Sequence, residues 1–196
     1  MAITDLDALS DEILMKRYGK GNVRAFEILY QRHKGPLFRF LLRQVNDQNL
    51  GEELFQDVWS KVIGQRQQYH ISAKFTTWLY TIARNRVTDH FRVQGNKPTT
   101  DPFGEGNEID DISSDDLVCQ QRPELILESE KAAAALKQLV AQLPASQREA
   151  FVLKYDAGFN HHDIAQITGQ KEETIKSQVR YAINKLKQGL FGGQYD

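Results

Sequence analysis

Between Phe159 and Lys187 the chain reads FNHHDIAQITGQKEETIKSQVRYAINKLK, and this stretch restricts the fold more than any other. Its apolar residues recur at helical spacing on both sides of one glycine. Asn160 is placed to cap a first short helix, and Asp163, three residues on, to complete a capping-box-like pair. Ile164, Ala165 and Ile167 give that helix an apolar side. Gly169 supplies a left-handed turn that a side chain resists. Ile175, Val179, Ala182, Ile183 and Leu186 then form one stripe of a second helix, and its other face carries Lys176, Ser177, Arg180, Tyr181, Asn184 and Lys187. A short helix, a tight turn and a longer helix with a basic, hydrogen-bonding face make a helix-turn-helix, whose second helix fits a DNA major groove. An ordinary helical hairpin with a solvated charged face has the same spacing. The residues upstream decide between the two readings.

The chain has 196 residues, enough for one large domain or two small ones, and a formal charge of -1. That balance is an average over unlike segments. Residues 1–92 hold 14 basic against 10 acidic residues, residues 93–124 hold 2 against 8, and residues 125–196 hold 9 against 8. The middle segment also carries Pro98, Pro102, Pro123, Gly95, Gly104 and Gly106, with no base from Thr99 to Gln121. It reads as a self-repelling acidic linker. Extended, about 30 residues span roughly 100 Å, ample for two DNA sites two helical turns apart, roughly 70 Å.

Residues 1–92 read as a series of helices joined by turns and one polar loop. Ser10 can cap the first, which ends at Gly19, and Asn22 the second. Gly35-Pro36 should interrupt or kink that second helix, with Pro36 opening a new segment through Leu37, Phe40, Leu41 and Val45. After a turn at Asn46-Asp47, Asn49 and Glu52 form a capping-box-like pair. The helix they start has Leu54, Phe55, Val58, Trp59, Val62 and Ile63 as a broad apolar side, with Glu52, Glu53, Gln56, Asp57 and Lys61 on the remaining surface. Its acids suit either a solvated face near a helix N-terminus or a partner-binding face. Gln65 to Lys74 reads as a polar loop holding Tyr69 and His70. The next helix buries Phe75, Leu79, Ile82, Ala83 and Val87, with Trp78 read mainly as core, and turns Tyr80, Arg84, Arg86, Thr88 and Arg92 to other faces. Aromatics beside arginines suit unstacked DNA, because bases stack on rings while guanidinium groups hold phosphates. Helical pattern resumes near Leu125; Pro144 opens a helix with Ala150, Phe151, Leu153 and Tyr155 apolar and Gly158 as its stop. The expected fold is all-α: one helical domain over 1–92, a flexible acidic linker over 93–124, and a helix-turn-helix domain over 125–196.

This arrangement resembles the bacterial RNA polymerase sigma factors of the sigma-70 family, extracytoplasmic-function (ECF) group. FEILYQRHKGPLFRF, EELFQDVW and FTTWLYTIARNRVTDHFR are similar to region 2, and LPASQREAFVLKY, GFNHHDIAQITG and TIKSQVRYAINKLK to region 4. The resemblance implies binding to core RNA polymerase, at the clamp helices of its beta-prime subunit, through Glu52, Glu53, Gln56, Asp57 and Trp59. It implies melting of the −10 promoter element and capture of the non-template strand by Tyr69, His70, Lys74, Arg84 and Asn85. It implies reading of the −35 element by Lys176, Ser177, Arg180 and Tyr181, and control by an anti-sigma factor. Two positions depart from the family pattern: Glu173 stands where a glycine is usual, and Gln178 where an arginine is usual. Promoter preference therefore does not transfer from relatives.

A conventional DNA-binding regulator, with a ligand-sensing or dimerising first domain, is the alternative; it would find DNA without polymerase. An enzyme is the more distant one. The run His161-His162-Asp163 points to different sides of a helix and has no second ligand pair, so no metal, cofactor or catalytic set is expected. A single cysteine, Cys119, excludes an internal disulfide. The acidic N-terminus lacks the apolar run of a signal peptide, and no stretch approaches the roughly 20 apolar residues of a membrane span, so a cytoplasmic protein is expected.

Overall fold

The computed structural model describes residues 6–71, 73–93 and 133–191. Every regular element among them is helical, in two clusters. The first holds α1 (Asp11–Gly19), α2 (Val23–Val45), α3 (Gln48–Gly64) and α4 (Phe75–Val93). The second holds α5 (residues 133–141), α6 (Ala145–Tyr155), α7 (His161–Thr168) and α8 (Glu172–Phe191). The all-α, two-cluster expectation is met. The acidic segment from residue 94 onward, Cys119 and the expected restart near Leu125 lie outside the described residues.

Local chemistry explains most boundaries. The Asn22 side chain accepts from the Ala25 N–H at 3.2 Å and so caps α2. Asn46, at φ 52°, ends α2 in the left-handed conformation that asparagine tolerates. Asp47 follows at once as the cap of α3, accepting from the Leu50 N–H at 2.9 Å. The cap of α3 therefore lies two residues before the expected Asn49–Glu52 pair, because a carboxylate directly after the left-handed turn reaches the first free N–H groups. Ser10 occupies the N-cap position of α1 without a side-chain capping bond.

Pro36 does not end a helix: α2 runs through it. Ile28, Leu29, Leu37, Phe40 and Leu41 stay in phase across the proline and are all buried. An interior proline costs roughly 3 kcal/mol, and burying one such side chain returns about 1.5–3 kcal/mol, so one continuous stripe outweighs the lost bond.

The first core is built around Leu14, Leu29, Phe40, Val58, Phe75 and Leu79, all buried. Acids at the start of α1 orient it. Asp11 meets Arg32 at 2.6 Å and His33 at 2.7 Å, both on α2. Glu12 accepts from the Phe75 N–H at 2.8 Å and thereby sets where α4 begins. Gly19 lets α1 meet the segment after α3: a β-carbon there would stand 2.6 Å from the Arg66 carbonyl oxygen.

In the second cluster, Asn160 accepts from the Asp163 N–H at 2.8 Å and caps α7, and Gly169 turns at φ 69° into α8. The apolar face of α8 is buried at Ile175, Val179, Ala182 and Leu186. The helical register of α6 buries Ala150, Val152 and Leu153 and leaves Tyr155 exposed, against expectation. The two clusters also pack on each other, α4 against α7 and α2 against α6. Tyr80, expected to face away from the core, lies in that joint, edge-on to Phe40 at 5.2 Å and to Phe159 at 4.9 Å.

Candidate polymerase and nucleic-acid interfaces

On α3, the 3.6-residue period sorts the side chains into two sets. Leu54, Val58, Trp59 and Val62 are buried, whereas Glu52, Glu53, Gln56 and Asp57 are exposed. The exposed set is a carboxylate-rich face with no salt bridge to a basic side chain among the described residues; Gln48 donates to Glu52 at 3.0 Å. Trp59 is 5% exposed and belongs to the core, edge-on to Phe26 at 5.7 Å and to Tyr30 at 5.0 Å. Of the five residues expected to meet polymerase, four form one open surface and the fifth holds it from beneath.

The five residues assigned to the −10 strand differ in exposure and in partners. Tyr69 is 7% exposed, its ring against Trp78 at 5.0 Å and Phe75 at 6.2 Å. Burial, with the Glu12 and Asp11 charges, pushes its phenol up to about 12. His70 and Asn85 are exposed. Lys74 and Arg84 are engaged by the other cluster: Lys74 Nζ meets Asp163 Oδ2 at 3.0 Å, and Arg84 Nε meets Glu149 Oε1 at 3.2 Å. Burial pushes the Glu149 carboxyl up, against the opposing pull of the Arg84 guanidinium. Asp163 thus spends its carboxylate on Lys74, and the side-chain return of the expected capping box is not seen. A third pair, Arg43 with Asp156, joins α2 to the end of α6.

The −35 candidates lie along one side of α8. Lys176 and Arg180 are exposed, and Ser177 and Tyr181 half-exposed. The Arg180 guanidinium sits 5.6 Å from the Tyr181 ring centre, which holds it against the helix. Lys176 pairs with Glu172 at 3.3 Å. Burial lowers the pKa of His161 at the start of α7, and the Lys154 and Lys176 charges add to the effect. The open side of α8 thus carries Lys176 and Arg180, with Glu172 and Glu173 in its first turn. Among the described residues no three acidic, histidine or cysteine side chains cluster closely enough to hold a metal ion. No described helix is long and apolar enough to cross a membrane.

Sequence reasoning missed Arg43, Glu149 and Asp156 as functional candidates. Their partners are remote, 65 residues apart for Arg84 and Glu149, and no local spacing signals such a pair.

Comparison with known proteins agrees with this layout. Residues 29–97 match Sigma-70 region 2, and residues 133–186 match Sigma-70, region 4. The chain is 27% identical over 191 residues to the RNA polymerase sigma-H factor of Pseudomonas aeruginosa, covering 92% of this chain and 95% of that protein. It is 30% identical over 168 residues to the ECF RNA polymerase sigma factor RpoE of Cereibacter sphaeroides, covering 85% and 86%. Among solved structures, the sigma factor RpoE of Bartonella quintana, in complex with the anti-sigma factor NepR, superposes with a TM-score of 0.62 at 26% identity, covering 84% of this chain and 96% of that one. The region 2 match runs from within α2 through α4 and the region 4 match from α5 into α8, and the chain belongs to the ECF group of the sigma-70 family of RNA polymerase sigma factors.

Proposed function

We propose that this sigma factor docks on core RNA polymerase through Glu52, Glu53, Gln56 and Asp57 while its two clusters engage the −10 and −35 elements of one promoter. The observation that carries the reading is the placement of two exposed faces of opposite character. The carboxylate face of α3 lacks salt-bridge partners among the described residues, and the face of α8 presents Lys176 and Arg180. Acidic side chains suit a basic protein surface, and long cationic ones suit phosphates and base edges. Trp59 supports the docking helix from the core side. His70, Lys74, Arg84 and Asn85 are the contacts proposed for the melted −10 strand, and Tyr69 is available to it only if its ring leaves the core. Lys176, Ser177, Arg180 and Tyr181 are the contacts proposed for the −35 element. The protein acts in the cytoplasm, where polymerase and promoters are, and an anti-sigma factor controls it. The complex of the Bartonella relative with NepR supports that last step.

A run-off transcription assay tests the reading. Core polymerase should start at specific promoters only when this chain is added, and Asp57→Arg should lower that activity at least about tenfold, the effect of losing about 1.4 kcal/mol at the docking face. Full activity of Asp57→Arg would remove α3 from the docking surface; promoter-specific starts without the chain would remove the function itself.

A further inference from the structure

The open face of α8 carries one charge of the same sign as DNA. Ile175, Val179, Ala182 and Leu186 mark the buried side of the helix. At 3.6 residues per turn, the opposite side is a row of Glu173, Ser177, Arg180 and Asn184, the last three lying four, seven and eleven residues after the first. Glu173 heads that row, is exposed, and makes no hydrogen bond or ion pair among the described residues. Its neighbour Glu172 stands about 100° round the helix and is engaged: its carboxylate meets Lys176 at 3.3 Å and lies 3.9 Å from His162 Nδ1 on α7. They are the only acidic residues of α8, and their surroundings differ. Glu172 serves the protein's own side chains, and Glu173 has no such partner.

We propose that Glu173 is a specificity-determining residue, accepting a hydrogen bond from the exocyclic amine of one cytosine in the upstream element. This rests on α8 as the −35 helix and adds to that reading the identity of one base. An ionised carboxylate only accepts hydrogen bonds. Brought into a DNA groove, it is repelled by the phosphates and loses water, and only a donor on the DNA offsets both. In the major groove thymine shows O4, and guanine shows O6 and N7, all acceptors. Adenine sets its N6 amine beside the acceptor N7. Cytosine alone shows a donor, its N4 amine, with no acceptor of its own. The N-terminal residues of a recognition helix are those that reach base edges, and Glu173 lies in the first turn of α8. Lys176 and Arg180, exposed on the same side, supply the attraction to phosphates that Glu173 lacks. Glu173 therefore selects more by rejecting the other bases than by adding affinity.

The test uses the full chain bound to core polymerase and duplexes with a randomised upstream segment. Sequencing the retained duplexes should show, for the parent chain, one column that is cytosine on one strand. Glu173→Gln should turn that column to adenine, whose N6 and N7 pair with a side-chain amide, and Glu173→Ala should flatten it; both should keep the other upstream columns. Fluorescence anisotropy then compares one selected duplex with its counterpart carrying thymine at that column. The parent should prefer the cytosine duplex about five- to 150-fold, the factor set by one good base contact. Glu173→Ala should bind the cytosine duplex less tightly than the parent and the thymine duplex more tightly. Neither lost helix stability nor a change in overall charge gives that opposite pair of effects. No cytosine column in the parent, an unchanged column in both variants, or a shift of the same sign on both duplexes overturns the proposal; the remaining columns keep α8 as the reader. No upstream column of any kind in the parent overturns the −35 reading of α8, and this inference with it.

Discussion

Asp11 shows how one carboxylate organises several elements. It receives Arg32 and His33 from α2, while its neighbour Glu12 receives the first amide of α4. Burial opposes the ionised form of Asp11, but the hydrogen bonds and charges of His33 and Arg32 outweigh it and hold the carboxyl below its ordinary value of 3.8. The stability this adds is therefore present above the unfolded value near 3.8 and lost as pH falls through the lower folded value. Asp11→Asn should cost about 1 kcal/mol at pH 7, discounted for partial exposure, and less at a pH well below 3.8. Urea titrations at the two pH values measure the difference. Gly19 is a second residue-scale test. A methyl group there meets the Arg66 carbonyl, which is backbone and cannot swing aside, so Gly19→Ala should destabilise by about 1–3 kcal/mol, read in the same titrations.

At the scale of elements, α8 divides its two roles by helical period. Ile175, Val179, Ala182 and Leu186 fix it to the second cluster, and the intervening Lys176 and Arg180 stay outside. Arg180→Ala should thus leave thermal stability unchanged and weaken binding to a duplex carrying the upstream element by about 1–3 kcal/mol if Arg180 reads a base, as a titration by fluorescence anisotropy would record. On α3 the same sorting was legible in sequence for the four open residues. It also made Trp59 readable as core, since Trp59 continues the stripe of Leu54, Val58 and Val62. The continuity of α2 was not legible. Pro36 is a strong local stop signal, and only burial of the residues on both sides of it shows that packing prevails.

At the scale of the molecule, the joint between clusters makes the buried side chains of both into one contiguous apolar core. Phe159 contributes the central ring on its side of that joint. Phe159→Ala should cost about 2–4 kcal/mol and split urea unfolding into two transitions, followed by circular dichroism and by the fluorescence of Trp59 and Trp78 in the first cluster. A single unshifted transition would show that the joint carries no coupling. The sequence alone determined the helical class, the two blocks, the turn at Gly169, the cap at Asn160 and the opposite characters of α3 and α8. Those features are written in periods and caps a few residues long. Tertiary structure alone decided that Tyr69 and Tyr80 are buried, that Asp163 binds Lys74, and that Glu149 binds Arg84. These depend on which surfaces meet across 65 to 89 residues of chain, and no local pattern of charge or hydrophobicity encodes that choice.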